Sequence, residues 1–129
     1  MKRTNTIINA IALSLLIICL IFPSVSAVTA YVYIPANSSG TLQSTMKDLN
    51  GQALSGYVSS RPASTSYSPL VGRLYTRGSV FTIERASGSV YAGGTRALAW
   101  SNPNSESGGF YVYLSSPGSH YGTCSVSTQ

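Results

Sequence analysis

The sequence predicts an all-β protein, a small antiparallel β-sandwich of about seven to eight short strands after an N-terminal signal peptide. Apolar and polar residues alternate with a period of two, most regularly in segment 28–34. Turn residues (Gly, Pro, Asn and Ser) recur at intervals of roughly ten positions. Alternation places apolar side chains on one face of a strand, and short strands closed by turns are typical of sandwiches and small barrels. We therefore expect each strand to bury one face in a shared core.

Segment 1–27 has the three parts of a secretory signal peptide. Two basic residues open it, an apolar stretch follows, and small residues precede the break after Ala27. The apolar stretch is shorter than the roughly 20 residues that a membrane-spanning helix needs. Cleavage after Ala30 fits almost as well, and an uncleaved anchor is the rival interpretation. Segment 28–129 is therefore expected to be a single β-sandwich domain that is secreted to the extracellular space.

The mature chain divides into eight predicted strands, each bounded by turn residues. They span 28–34, 54–60, 70–76, 79–85, 89–92, 95–101, 109–115 and 121–127. Asn50-Gly51 is predicted as a hairpin turn. In segment 41–49 the apolar residues have the spacing of a helix, but the surrounding Ser, Thr and Asn-Gly fit an irregular edge segment equally well. Both alternatives stay open for that segment, and 59–69 and 102–108 are predicted as surface loops.

The charge of the mature chain is mildly positive. Removal of Lys2 and Arg3 with the leader leaves six of the eight basic residues against three acidic ones, a net charge of +3. The six are scattered along the chain, whereas a nucleic-acid surface needs basic residues clustered on one face. We expect no nucleic-acid partner, although this charge suits weak attraction to anionic cell surfaces.

The mature chain has few residues that could take part in catalysis. The three carboxylates, Asp48, Glu84 and Glu106, lie beside basic residues or in a polar loop and are expected to be solvated. His120 precedes Cys124 by four positions, which separates the two side chains by about 13 Å in an extended strand, too far for a nucleophile–base pair unless the chain turns between them. Zinc sites need three or four ligands, and the mature chain has too few at suitable spacing. We expect a protein that is not an enzyme, with no catalytic, cofactor-binding or metal-binding residue and no cofactor.

Cys124 is the single thiol of the mature chain, so an intramolecular disulfide is excluded. A lone thiol can be buried and inert, can bridge two chains, or can bind a partner covalently. The sequence favours the buried state without deciding among the three.

Tyrosine is the unusual component, with nine residues in the mature chain. Tyr31 and Tyr33 alternate with aliphatic residues in one predicted strand, as Tyr111 and Tyr113 do in another. A tyrosine has an apolar ring and a polar tip, so these four form the candidate contact face for a sugar, a peptide or membrane headgroups. The alternative is that tyrosine favours strands and pairs across them for stability. Trp100 is expected in the core.

Three parts of the chain resemble, loosely, small exported all-β proteins of Gram-positive bacteria whose function is uncharacterised. They are segment 105–114 with the Ser/Gly-rich final strand behind it, Lys47-Asp48, and Tyr57-Val58. The ending departs from that group, because 124–127 reads Cys-Ser-Val-Ser where a Trp-Ser-Pro-Asp-like ending is typical. The resemblance implies export and β-architecture and transfers no functional residue.

The sequence therefore predicts a secreted, non-enzymatic interaction module that acts at or near the cell surface through a Tyr/Ser-rich sheet face or through loops. Cell-wall glycan, a surface protein and an anionic membrane surface are its candidate partners. The alternative function is a secreted bacteriocin- or toxin-like effector that acts on target cell envelopes, which the small size and positive charge permit.

Overall fold

Two antiparallel sheets face each other across an apolar core in the computed structural model, which describes residues 26–35, 39–61, 68–116 and 121–129. These residues form strands, turns and loops but no helix, so the predicted all-β sandwich is confirmed. Accordingly, no helix in the described ranges is long and apolar enough to cross a membrane. The predicted leader lies, except for its last two residues, outside the described residues, and so does His120.

The described residues contribute nine strands to the two sheets. They are β1 (Thr29–Ile34), β2 (Gly40–Gln43), β3 (Lys47–Asp48), β4 (Leu54–Ser60), β5 (Leu70–Arg77), β6 (Thr82–Val90), β7 (Thr95–Trp100), β8 (Gly109–Ser116) and β9 (Gly122–Thr128). The strand order of sheet I is β1-β9-β4-β7, and that of sheet II is β2-β8-β5-β6. The short strand β3 also pairs with β8, at the end that β2 does not reach. The last strand of the chain therefore lies between the first and the fourth.

Buried and exposed residues alternate along β1 with the same period of two that the sequence shows for apolar and polar residues. In β1, Val32 and Ile34 point into the core while Tyr31 and Tyr33 point outward. Among the described residues, the core takes aliphatic side chains from both sheets and the aromatic ring of Phe110. Alternation predicted these faces because successive side chains of a strand point to opposite sides.

The undecided segment 41–49 forms two short edge strands, β2 and β3, so the helical alternative is wrong. Between β2 and β3, one residue, Ser44, continues the hydrogen bonding to β8. The Ser44 amide donates to the Val112 carbonyl oxygen at 2.9 Å, and Ser44 Oγ accepts from the Val112 amide at 3.0 Å. The side-chain oxygen thus takes the place of a backbone carbonyl where the edge strand is interrupted.

The two predicted strands 79–85 and 89–92 form one continuous strand, β6 (Thr82–Val90), and residues 79–81 and 91–92 lie outside it. The Ser87-Gly88 pair is not a turn, because Gly88 pairs with Gly72 in β5 and is buried. Its missing side chain leaves room for Arg96, since a Cβ at Gly88 would lie 3.3 Å from that side chain. A glycine inside a strand can mark such a close approach rather than a break.

Asn50-Gly51 is a turn but not a hairpin. Both residues have positive φ (50° and 73°), and the Gln52 amide donates to the Leu49 carbonyl oxygen at 3.0 Å. The flanking strands β3 and β4, however, belong to different sheets. The turn therefore carries the chain from sheet II across to sheet I, and the predicted hairpin is wrong because the local turn signal does not specify which strand each arm pairs with.

Candidate functional site

The four tyrosines of the predicted contact face lie on two opposite surfaces of the sandwich. Tyr31 and Tyr33 point outward from sheet I, since they alternate with buried residues of β1. Tyr111 and Tyr113 point outward from sheet II, since they alternate with buried residues of β8. Tyr31 and Tyr33 therefore share one surface, Tyr111 and Tyr113 share the opposite one, and the four do not form a single face. A contact role for either pair stays a prediction.

The tyrosines of sheet II are engaged with one another. The Tyr75 ring stacks on Tyr111 with centroids 5.3 Å apart and meets Tyr113 edge-on at 6.0 Å. The Tyr75 hydroxyl donates to Glu84 Oε2 at 3.2 Å, and Arg73 lies 3.9 Å from the same oxygen. Partial burial raises the pKa of Tyr75, Arg73 opposes that rise, and the Glu84 carboxylate adds to it. This cluster fits the structural alternative, in which tyrosines pair across strands to stabilise a sheet.

The outer face of sheet I has a different composition. Ten of its twelve outward strand positions bear a hydroxyl group, two are alanine and none is charged, and we call this surface the hydroxyl face. Its members are Thr29, Tyr31, Tyr33, Ser55, Tyr57, Ser59, Thr95, Ala97, Ala99, Thr123, Ser125 and Ser127. Tyr57 was not among the predicted contact residues. Its alternation with buried Val58 was a usable signal for an outward tyrosine.

The register of sheet I sets tyrosines on both sides of β9. Ser125 pairs with Tyr31 of β1 on one side and with Tyr57 of β4 on the other. Tyr31 is 54% exposed, Tyr57 is 44% exposed and the neighbouring Tyr33 is 39% exposed. The outward residues of β9 are less exposed than these three tyrosines. The serine and threonine hydroxyls of β9 therefore form a low strip between taller aromatic side chains. We call residues Thr123, Ser125 and Ser127 the hydroxyl track.

Hydrogen bonds between neighbouring side chains occupy the borders of the hydroxyl face. Thr29 and Ser127 share one of 2.7 Å at one corner, and Ser59 and Thr95 share one of 3.0 Å at the other. Within the described part of the chain, no ring contact involves Tyr31, Tyr33 or Tyr57. The exposed rings of sheet I thus differ from those of sheet II, which already contact one another.

A second candidate site is a cavity of about 360 Å³ at the end of the sandwich, where β5 turns into β6. Its apolar wall is formed by Val80, Phe81 and Ile83, and the first two are 77% and 73% exposed. Arg85 and Glu106 supply the charged part of the lining. Sequence reasoning missed this site, although two large apolar residues directly after Gly78-Ser79 were a signal for an apolar loop tip.

The Arg85 side chain is largely buried and makes three contacts within the protein. Its guanidinium lies over the Trp100 ring, its Nε donates to Thr76 Oγ1 at 2.7 Å, and its Nη2 donates to the Glu106 carboxylate. Glu106 is positioned in turn by Asn102, whose side chain bonds both the amide and the carbonyl of that residue. This network lies at the end of the core, so the cavity beside it has a hydrogen-bonded polar side and an exposed apolar side. Trp100 packs against the core, as predicted.

The Cys124 thiol and the three carboxylates are the remaining reactive groups among the described residues. Cys124 is fully buried, and burial raises the pKa of its thiol to about 12, which disfavours the thiolate that a nucleophile requires. Glu84 and Glu106 contact arginines, while Asp48 is exposed on the edge strand β3. In the described ranges, no three His, Cys, Asp or Glu side chains are grouped as a metal site would require.

Comparison with known proteins gives similarity at the level of solved structures. No protein-family model matches the chain, and no curated protein matches it. One similar structure is a protein of Bacillus endospore appendages, which form disulfide-linked pili; it is 14% identical, with a TM-score of 0.49 over 80% of this chain and 86% of that one. Another is the Yersinia pseudotuberculosis-derived mitogen, 11% identical, with a TM-score of 0.43 over 81% of this chain and 85% of that one. Both are small all-β proteins. Neither similarity identifies a functional residue in this chain.

Proposed function

We propose that this protein is a non-enzymatic interaction module that works outside the cell and binds its partner through the hydroxyl face of sheet I. Three exposed tyrosines among hydroxyl-bearing neighbours, with no charge between them, carry this proposal. Surfaces rich in Tyr and Ser bind well because the rigid rings supply contact area at low entropic cost and the small hydroxyls adapt their hydrogen bonds.

The contrast between the two sheets supports a binding role for sheet I in particular. In sheet II, stacking of Tyr75 on Tyr111 accounts for the aromatic residues by their own contacts. In sheet I, Tyr31 and Tyr57 are separated by Ser125 and make no such contact with a described residue. The ring contacts that account for the tyrosines of sheet II are therefore not made by Tyr31 and Tyr57 with the described residues, which leaves their exposed surfaces available to a partner.

The chemistry of the chain is consistent with binding rather than turnover. Its one mature thiol is buried and its described glutamates contact arginines, so these three groups are not positioned to act on a substrate. The signal-peptide pattern of segment 1–27 supports action outside the cell.

Sedimentation with isolated cell envelopes tests this proposal, since envelopes contain wall polymers, membranes and surface proteins together. The secreted form is compared with the double variant Tyr31→Ala/Tyr57→Ala and with Tyr91→Ala as the matched control. Tyr91 is an exposed tyrosine that follows β6 and lies outside the hydroxyl face. We expect the double variant to lose binding about tenfold or more and the control to bind as the unmodified protein does. Equal binding by all three forms, or none by any, contradicts the proposal.

A second candidate function is contact with target membranes, in line with the effector alternative. The exposed apolar tip of the β5–β6 turn favours it, because Val80 and Phe81 could enter a lipid surface while Arg77, at the end of β5, faces the headgroups. Dye leakage from vesicles of anionic lipid measures this directly. If the effector function holds, Phe81→Asp abolishes leakage and Tyr31→Ala leaves it intact. Absence of leakage from vesicles at tens of micromolar protein removes this candidate.

A further inference from the structure

We propose that the ligand of the hydroxyl face is an uncharged, hydroxyl-rich polysaccharide chain that lies along the hydroxyl track between Tyr31 and Tyr57. This inference rests on the proposed function and names the class of molecule bound.

The spacing of the face suits one extended polymer chain. Tyr31 and Tyr57 lie one strand to either side of Ser125, which separates their backbones by about 10 Å at the usual distance between paired strands. Tyr33 follows Tyr31 on the same face, about 7 Å farther along the strand. Two tyrosines thus flank the track at successive positions on one side and one tyrosine flanks it on the other, an arrangement that suits a ligand with a repeating unit.

The functional groups of the face match those of a sugar ring. A pyranose has C–H groups on its two faces, which can pack on an aromatic ring, and hydroxyls around its edge. Each sugar hydroxyl both donates and accepts a hydrogen bond, as do the hydroxyls of Thr123, Ser125 and Ser127. A sugar placed over the track can therefore keep its polar groups paired on leaving water, which is what buried polar groups need.

The distribution of charge favours a neutral ligand. The nine charged residues of the described chain all lie outside the hydroxyl face, and Arg61, directly after β4, stands at its border. Over the centre of this face, away from Arg61, an anionic polymer or a lipid headgroup would lose hydration without gaining an opposite charge. A neutral polysaccharide does not incur that cost.

The pairing of the strands disfavours a peptide. An extended peptide binds a sheet by adding to a free edge, but β9 is paired on both sides, with β1 and β4. A proline-rich peptide binds a groove lined by aromatic residues, whereas the floor here is a row of hydroxyls. The ladder of sheet I is thus already complete beneath the track.

Retention of the secreted protein on insoluble cellulose and on chitin tests the inference, with soluble polygalacturonate and a polyproline peptide as the charged and peptide comparators. We expect binding to at least one neutral polysaccharide that is equal in about 0.05 M and about 0.5 M NaCl, because no ion pair contributes to it. Ser125→Asp places a carboxylate at the centre of the track and Tyr57→Ala removes one aromatic flank; each is expected to weaken binding about tenfold. Tyr91→Ala is the control, and circular dichroism confirms that each variant is folded.

The outcomes of these experiments distinguish an error in the proposed ligand class from an error in the proposed binding face. No retention on either neutral polysaccharide at tens of micromolar protein, or tighter binding to polygalacturonate or polyproline, overturns the polysaccharide. If envelope binding still depends on Tyr31 and Tyr57 in that case, the hydroxyl face remains the binding site and only the ligand class is wrong. If neither Ser125→Asp nor Tyr57→Ala weakens polysaccharide binding, the inference is also overturned, because the ligand then binds outside the hydroxyl track.

Discussion

The guanidinium carbon of Arg85 lies 4.3 Å from the centre of the Trp100 ring, which joins the two sheets at one end of the core. Arg85 is the extra residue of a β-bulge: Leu74 pairs with Ala86 and Tyr75 pairs with Glu84, so Arg85 has no partner in the ladder. A bulge redirects a side chain, and here it turns a cation inward onto a ring of the opposite sheet.

Replacement of Arg85 is expected to destabilise the fold more than replacement of any exposed arginine. Arg85→Ala removes the contact with Trp100 and the hydrogen bonds to Thr76 and Glu106, at a cost of about 2 kcal/mol in the free energy of unfolding. Arg85→Lys is expected to retain less than half of the free energy of unfolding that Arg85→Ala loses. An ammonium group is not planar, so it cannot stack on the Trp100 ring and donate hydrogen bonds in the plane of the stack as a guanidinium does. Urea unfolding measures both. Arg73→Ala is the control, since its ion pair with Glu84 is about half exposed and contributes under about 1 kcal/mol; equal effects of the two alanine variants would contradict this role of Arg85.

The two sets of tyrosines are expected to differ in their effect on stability. Tyr75→Ala removes a stacked and an edge-on ring contact and should lower the free energy of unfolding by about 2 kcal/mol. Tyr31→Ala removes an exposed ring without ring contacts to described residues and should change it by about 0.5 kcal/mol or less. Thermal or urea unfolding of both variants provides the comparison. A large loss in Tyr31→Ala would mean that sheet I also needs its tyrosines for stability.

The thiol of Cys124 is expected to make stability fall at alkaline pH. Burial raises its pKa to about 12 in the folded protein, while the unfolded thiol ionises near its usual value of 9.0. The unfolded state therefore loses its proton first, so the contribution is complete below pH 9 and is lost as pH rises from 9 to 12. Between pH 8 and 10.5 the protein should lose about 2 kcal/mol more than Cys124→Ala does.

Urea unfolding at the two pH values isolates that difference, because tyrosine ionisation is common to both forms. At pH 8 the folded protein should also resist labelling by a disulfide reagent until urea unfolds it. Rapid labelling without urea, or parallel losses of stability in the two forms, would show that the thiol is accessible.

Glycine is required at position 56 but not at position 78. A Cβ on Gly56 would lie 1.9 Å from the Ser125 carbonyl oxygen of the neighbouring strand, whereas no atom lies within 4 Å of one on Gly78. Gly56→Ala must push β4 and β9 apart and is expected to cost about 3 kcal/mol or more. Gly78→Ala should stay within about 0.5 kcal/mol of the unmodified protein. Urea midpoints decide this, and a tolerated Gly56→Ala would mean that the two backbones are farther apart than described.

Much of the fold is visible in the local sequence. Alternation in 28–34 predicts that Val32 is buried and Tyr31 exposed, because a strand turns successive side chains to opposite faces whatever it pairs with. The same logic does not distinguish an edge strand from a helical turn in 41–49. There the outcome depends on hydrogen bonds between Ser44 and Val112, which are 68 positions apart.

The candidate site depends on strand order, which local pattern does not contain. Tyr31 and Tyr57 flank Ser125 because β9 enters sheet I between β1 and β4, joining residues as far apart as Thr29 and Ser127. Period and turn chemistry determine that strands form and which of their faces are apolar. Which strands become neighbours follows from how both sheets bury those faces against a single core, and only that long-range packing separates the exposed tyrosines of sheet I from the stacked tyrosines of sheet II.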